Sequence, residues 1–123
     1  MKSLYVIPIY FLSFLDNERP DVNIIGTWTR YTNQHLIEIF IVRDNGEFIS
    51  NEFNQKNELR NIEKGTWEIK HDSIQFRFIQ VITSEDSQNW KSVKASQLKS
   101  VIYKFMLNTD GNLIIGSSIY YRE

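Results

Sequence analysis

Few side chains in this sequence of 123 residues could perform acid–base or nucleophilic chemistry, because it holds only two histidines, His35 and His71, and no cysteine. The absence of cysteine excludes disulfides, thiolate metal ligands and a thiolate nucleophile. His71 precedes Asp72 and so resembles an acid–base pair, but neighbouring side chains in a turn point apart, and a general base must reach its target by a hydrogen bond. No spacing of histidines and carboxylates suggests a metal site. We therefore predict that the chain is not an enzyme, with no catalytic residues, no metal and no cofactor.

Four glutamates, Glu47, Glu52, Glu58 and Glu63, flank one polar stretch of the chain and indicate a solvated rim. The formal net charge is −1, and no long run of one sign occurs. A protein that binds a phosphate backbone needs clustered Lys and Arg. The charge pattern therefore predicts no nucleic-acid partner.

Aromatic side chains make up 14% of the sequence, and many are Tyr and Phe in predicted strand positions, as β structure favours. Trp90 stands in a polar stretch, residues 84–95, beside Lys91 and Lys94. A Trp in such a stretch belongs to a lid over a binding pocket, anchors a protein contact, or folds back onto the core. The other aromatic residues alternate with polar ones, as in strands that enclose an apolar interior. The candidate ligand-binding residues are Trp67, Phe76, Phe78, Tyr103, Phe105 and Trp90. The first five suit a solid core equally well.

Two Gly-Thr-Trp stretches, at positions 26–28 and 65–67, begin strands that must position these residues. Gly permits a close approach of two backbones, and Trp needs an enclosed site. Asn-Gly at 45–46 between apolar runs predicts a hairpin, and Thr-Asp-Gly at 109–111 predicts another. Alternation of apolar and polar residues predicts strands over 24–32, 35–43, 47–53, 62–70, 73–82, 97–108 and 112–121. The last strand is expected to carry Leu113, Ile115, Ile119 and Tyr121 on one face.

These strands predict one all-β domain over residues 24–123, an antiparallel meander that closes into a small barrel of seven or eight strands. The length suits a single domain, and no long stretch has the 3.6-residue period of a helix. Closure removes the unpaired sheet edges of an open sheet. An eighth strand would come from the N-terminal segment. The many large side chains favour a filled or narrow interior.

The N-terminal segment, residues 1–23, has two interpretations: a signal peptide or a strand that covers the barrel, in either case followed by a linker. Lys2 and the apolar run at 4–12 resemble a signal peptide. The small-x-small cleavage pattern is missing, and the run is too short for a stable membrane span. A signal peptide predicts a secreted or periplasmic protein, and a covering strand predicts a cytoplasmic one.

The Gly-x-Trp at Gly26 and Trp28, followed by tight hairpins and by a second Gly-Thr-Trp, resembles lipocalin-like (calycin superfamily) domains of the compact bacterial type. The resemblance implies that Trp28 lies at the closed end of a barrel. It also implies that a basic residue near the end of the last strand, here Arg122, packs over the indole. Gly26 and Gly65 are expected to be structural with them. The longer loop motifs and the C-terminal helix of the superfamily are not visible in this sequence.

Two functions fit this interpretation. In the first, the chain is a non-catalytic binding protein that holds a small apolar ligand in the barrel, with residues 84–95 as a gate. In the second, the interior is filled and the surface acts as a protein-interaction or inhibitor module with Trp90 as its anchor. A cavity of roughly 300 Å³ or more favours the first, and a solid interior with an exposed apolar patch favours the second.

Overall fold

The computed structural model describes residues 23–123, and the predicted signal peptide or covering strand lies outside them. The strands are β1 (Gly26–Thr32), β2 (His35–Val42), β3 (Glu47–Phe53), β4 (Leu59–Lys70), β5 (Ser73–Thr83), β6 (Lys91–Ser92), β7 (Ser100–Leu107), β8 (Leu113–Ile115) and β9 (Ser118–Arg122). Within these residues the helical structure is a single 3₁₀ turn, Ala95–Gln97.

The strands form an antiparallel meander that closes into an eight-stranded barrel, because β9 pairs with β1 and β4 pairs with β5. The barrel strands are β1 to β5 and β7 to β9. The short β6 pairs with the last two residues of β5. It lies along the same edge of β5 as β7, which pairs with residues 73–77 of β5. The predicted fold class is confirmed, and the eight strands all lie within residues 26–122.

The eighth strand comes from a turn that the sequence analysis did not predict. The stretch 112–121 was expected to be one strand, but the chain reverses at Gly116, which has φ 61°. The reversal produces β8 and β9, which pair with each other. Tyr120 is consequently buried, whereas Ile119 and Tyr121 are exposed. The predicted shared face of Leu113, Ile115, Ile119 and Tyr121 is therefore wrong, since simple alternation holds only along an uninterrupted strand.

The start of β1 closes one end of the barrel. Trp28 is fully buried, and its indole N–H donates to the carbonyl of Ile24 at 2.9 Å. The guanidinium of Arg122 lies over the indole, with Cζ 4.1 Å from the ring centroid, and donates to two backbone carbonyls just before β1 at 2.8 and 2.9 Å. Gly26 has φ 139°, and a Cβ there would lie 2.9 Å from Arg122 Nη1. This is the arrangement that the resemblance implies for these three residues.

The second Gly-Thr-Trp has a different environment. At Gly65 the backbones of β4 and β5 approach so closely that a Cβ would lie 1.9 Å from the carbonyl oxygen of Arg77. Trp67 is half-buried, and its indole N–H donates to the carbonyl of Arg43 at 3.0 Å, beside the β2–β3 turn. The prediction that this stretch begins a strand is wrong, because β4 begins at Leu59 and Gly65 lies in its middle. Of the two Trp residues, only Trp28 is completely enclosed.

Aromatic residues fill the barrel next to the closed end. The rings of Phe40, Phe48 and Phe76 contact one another, with centroids 5.0 to 6.1 Å apart. Aromatic pairs at such distances add to the stability that apolar burial supplies. The buried core consists of Ile24, Trp28, Phe40, Val42, Phe48, Ile74, Phe76, Phe105, Leu113, Ile115 and Tyr120.

Candidate functional site

A cavity of about 430 Å³ lies inside the barrel, next to the aromatic core. Connections in an antiparallel meander alternate between the two ends of a barrel, so the β8–β9 turn lies opposite the end that Trp28 closes. Because Gly116, Ser117 and Ser118 of that turn line the cavity, we call this end the open end. The apolar lining consists of Phe40, Phe48, Phe76, Phe78, Val101, Tyr103, Ile115 and Tyr120. The sequence predicted a filled or narrow interior; side chains fill the barrel next to its closed end, and the cavity occupies the part nearer the open end.

One wall of the cavity is charged. Cross-strand pairing places Glu38 of β2 directly between Arg30 of β1 and Glu52 of β3. Glu38 is only 5% exposed, and its carboxylate accepts hydrogen bonds from Arg30 Nε at 2.8 Å, from Ser50 Oγ at 2.7 Å and from the Tyr120 hydroxyl at 2.9 Å. A buried carboxylate is tolerated when a cation and further donors satisfy it. Glu38 is thus a fully satisfied charge in the wall of the barrel.

The ionisation of the groups that bind Glu38 follows from these contacts. Burial raises the pKa of Tyr120, and the neighbouring negative charge of Glu38 raises it further. Burial acts to lower the pKa of Arg30, but the hydrogen bond and the charge attraction to Glu38 outweigh this effect, and the net shift is upward. Both shifts favour the protonated forms, so a neutral hydroxyl and a guanidinium cation face Glu38 at physiological pH.

Two further carboxylates line the cavity without a cation of their own among residues 23–123. Glu52 accepts one hydrogen bond, from the Asn61 side-chain amide at 3.2 Å. Glu63 of β4 lies opposite Ser50 of β3. Burial raises the pKa of Glu52, and so does repulsion by Glu38, against the hydrogen bond from Asn61. Burial, followed by repulsion from Glu52, raises the pKa of Glu63 to about 7.

The prediction of a solvated rim is therefore wrong for Glu52 and Glu63, although Glu47 and Glu58 are exposed as expected. Glu63 stands two positions before Gly65, so a period of two puts both on the same face of the strand, but alternation alone does not say that this face is the interior one. Arg30, Ser50 and Tyr120 were not predicted to belong to a site. For Glu38, its shared face with Phe40 and Val42 was the available signal.

The predicted ligand-binding residues divide into two groups. Phe76, Phe78 and Tyr103 line the cavity. Phe105 is buried in the core, Trp67 packs against the core beside the β2–β3 turn, and Trp90 is half-buried outside the cavity. Ligand contact by any of these residues stays a prediction.

Residues 84–95 follow β5 at the open end and include the short β6. Hydrogen bonds among residues 84–89 fix the conformation of the polar part of this segment. The carboxylate of Asp86 accepts from backbone N–H groups two and three residues further along, and these bonds lower its pKa. Ser87 Oγ donates to the carbonyl of Leu59 at 2.6 Å, which fastens the segment to the start of β4. None of its described side chains lines the cavity. The gate assigned to this segment stays a prediction.

Both histidines lie away from the cavity. His35 is exposed at the start of β2, and His71 is exposed in the β4–β5 turn with φ 59°. Asp72 binds Lys104, with Oδ2 and Nζ 3.0 Å apart, and their bond lowers the pKa of the carboxyl. Across residues 23–123, no cluster of three or more histidine and acidic side chains is suited to hold a metal ion.

Among residues 23–123, no helix is long and apolar enough to cross a membrane. The chain matches no protein-family model, no curated protein and no solved structure.

Proposed function

We propose that this protein is a lipocalin-like barrel that binds one small ligand with an apolar body in the cavity at its open end. The cavity volume of about 430 Å³ carries the proposal, because ligand pockets span roughly 300 to 1,000 Å³. An eight-stranded barrel either packs its interior solid or holds one small ligand. A space of this size inside such a barrel supports the second alternative.

The lining combines an aromatic surface with a charged wall, which suits a ligand that has an apolar body and a polar group. Phe40, Phe48, Phe76 and Phe78 provide apolar surface from three strands, and Val101 and Tyr103 continue it onto β7. Ligand pockets are mostly apolar, with a few polar groups that fix orientation. The groups around Glu38 supply such polarity on one wall. The likeness to lipocalin-like proteins is part of this proposal and rests on the closed eight-stranded barrel together with the Trp28–Arg122 contact.

A substitution inside the cavity tests the proposal. Val101→Trp places a large side chain into the space, and Ile102→Trp makes the same change one residue further along β7 at a position 63% exposed. The probe is N-phenyl-1-naphthylamine, an uncharged dye that fluoresces when it leaves water. The unsubstituted protein should show saturable fluorescence and a raised Tm, because a ligand of the native state stabilises it by mass action. Val101→Trp should weaken binding at least about tenfold, and Ile102→Trp should not weaken it.

Two results would refute the proposal. One is the absence of saturable binding to the unsubstituted protein. The other is undiminished binding to Val101→Trp when circular dichroism shows that this variant is folded.

A second candidate function is protein interaction through the outer surface of the barrel. Met106, Ile114 and Ile119 are cross-strand neighbours on β7, β8 and β9, and Tyr121 continues the row toward Tyr31, with their ring centroids 6.2 Å apart. Exposed contiguous apolar surface is typical of interaction sites. Ile119→Lys disrupts this patch, and dye binding in the cavity should be unchanged by it, so the two functions can be separated.

A further inference from the structure

We propose that the ligand of this cavity is a protonated amine with an aromatic or branched aliphatic body, and that its ammonium group binds between Glu52 and Glu63. The inference rests on the proposed function, because it names the class of ligand for the same cavity. It follows from the size of the cavity, from the charges on its wall and from the positions of the apolar side chains.

The charged wall carries more negative than positive groups. Three carboxylates, those of Glu38, Glu52 and Glu63, line the cavity with one guanidinium, that of Arg30. Arg30 forms its ion pair with Glu38. Glu52 and Glu63 form no ion pair with any residue of 23–123. A ligand that enters the cavity therefore meets two carboxylates without an ion pair in residues 23–123, and the Arg30 guanidinium only partly offsets the charge of Glu52.

The register of β3 and β4 places these two carboxylates at a distance that one ammonium group can bridge. Glu52 pairs with Asn61, and Glu63 pairs with Ser50, so the two glutamates are diagonal neighbours on one face. Diagonal neighbours on adjacent strands lie roughly 7–8 Å apart between Cα atoms. An ammonium group has several N–H donors and can donate to both carboxylates at once.

The remaining charged and titratable groups around the cavity are Arg30 on β1, Glu38 on β2, Tyr103 on β7 and Tyr120 on β9. Arg30 is the one cation among them, and its ion pair is with Glu38. No lysine from residues 23–123 lines the cavity. A carboxylate ligand such as a fatty acid would be repelled by Glu52 and Glu63. A neutral ligand would leave their repulsion unrelieved.

The environment of the two glutamates disfavours their negative charge. Burial raises the pKa of both; repulsion by Glu38 adds to the rise for Glu52, and repulsion by Glu52 adds to it for Glu63, whose pKa is raised to about 7. A cation between them would favour the ionised forms. The apolar body of the amine would then lie toward Phe76 and Phe78 on β5, and aromatic rings beside an ammonium add cation–π attraction.

Three compounds with one common body test the inference by calorimetry on the full chain at pH 8 and low salt. They are 2-(1-naphthyl)ethylamine, 1-naphthaleneethanol and 1-naphthaleneacetate, which differ in charge and share the naphthalene ring. We expect the amine to bind at least about tenfold more tightly than the alcohol, and the carboxylate to bind weakest, because charge complementarity in a partly desolvated site discriminates by more than a surface pair does.

Variants assign the effect to the two glutamates. Glu63→Gln should weaken amine binding about tenfold and leave alcohol binding within about twofold. Glu68→Gln makes the same change on the outer face of β4, where the carboxylate is exposed, and should change neither. Lowering the pH from 8 to 6 should weaken amine binding about tenfold, since Glu63 takes up a proton across its pKa of about 7 while the amine stays charged.

The outcomes separate the two proposals. If the alcohol binds as tightly as the amine, the inference is overturned and the binding function stands. If the amine keeps its full advantage in a protein that carries both Glu52→Gln and Glu63→Gln, the location between these residues is wrong. If none of the three compounds binds but N-phenyl-1-naphthylamine does, the amine inference fails and the binding function stands. If the dye does not bind either, both proposals fail.

Discussion

Replacing Glu63 by Gln should stabilise the protein at pH 8 and have much less effect at pH 5. The side chain lies half-buried in the cavity wall, and its pKa is raised from 4.5 to about 7 by burial and by the nearby charge of Glu52. The folded protein therefore binds this proton more tightly than the unfolded chain does. Glu63 favours the folded state below pH 4.5, and that contribution is lost as the pH rises through 7. Gln keeps the shape of the side chain and cannot ionise.

The size of the effect follows from the shift. A rise in pKa from 4.5 to about 7 corresponds to about 3.4 kcal/mol at the high-pH limit if the group were fully shielded. Because water reaches part of the side chain and screens it, we expect Glu63→Gln to raise the free energy of unfolding by about 1–2 kcal/mol at pH 8. About a quarter of this gain should remain at pH 5, where the folded protein already holds the proton.

Urea unfolding followed by Trp fluorescence measures the change at both pH values, and the corresponding rise in Tm at pH 8 should be on the order of 5 °C. Glu68→Gln is the matched control, since it lies on the same strand with an exposed carboxylate. The reasoning would be refuted if Glu63→Gln destabilised the protein at pH 8, or if it stabilised the protein equally at pH 5 and pH 8. Either result would mean that the carboxylate is well solvated or is paired with a cation in the folded protein.

Two further substitutions test the residues that shape the barrel. Gly65→Ala should lower the free energy of unfolding by about 2–4 kcal/mol, because the added Cβ would lie 1.9 Å from the carbonyl oxygen of Arg77. Urea unfolding measures this loss. An unchanged unfolding midpoint would contradict the close approach of β4 and β5. Arg122→Ala removes the stack over Trp28 and two hydrogen bonds to backbone carbonyls, so we expect a loss of about 1–2 kcal/mol. A loss below about 0.5 kcal/mol in thermal unfolding, the usual range for a surface substitution, would show that Arg122 does not hold the closed end.

Local chemistry determines most strand positions and turns of this protein. Asn-Gly at 45–46 tolerates the conformations that a tight hairpin requires, so β2 and β3 were predicted within one residue at each end. Alternation along β7 placed Val101, Tyr103 and Phe105 on one face, and all three either line the cavity or belong to the core. These features depend on neighbours in the chain, which a single sequence displays directly.

The interior of the barrel depends on contacts between distant strands. The sequence places Glu38 on one face with Phe40 and Val42 and predicts a solvated rim for Glu52 and Glu63. A period of two defines two faces of a strand without saying which one is enclosed. Only the closure of β1 onto β9 puts these carboxylates inside, and only the turn at Gly116 puts Tyr120 within hydrogen-bonding distance of Glu38. The volume of the cavity was likewise decided by the tertiary structure, because it is the small difference between the space that eight strands enclose and the summed volume of side chains from all of them.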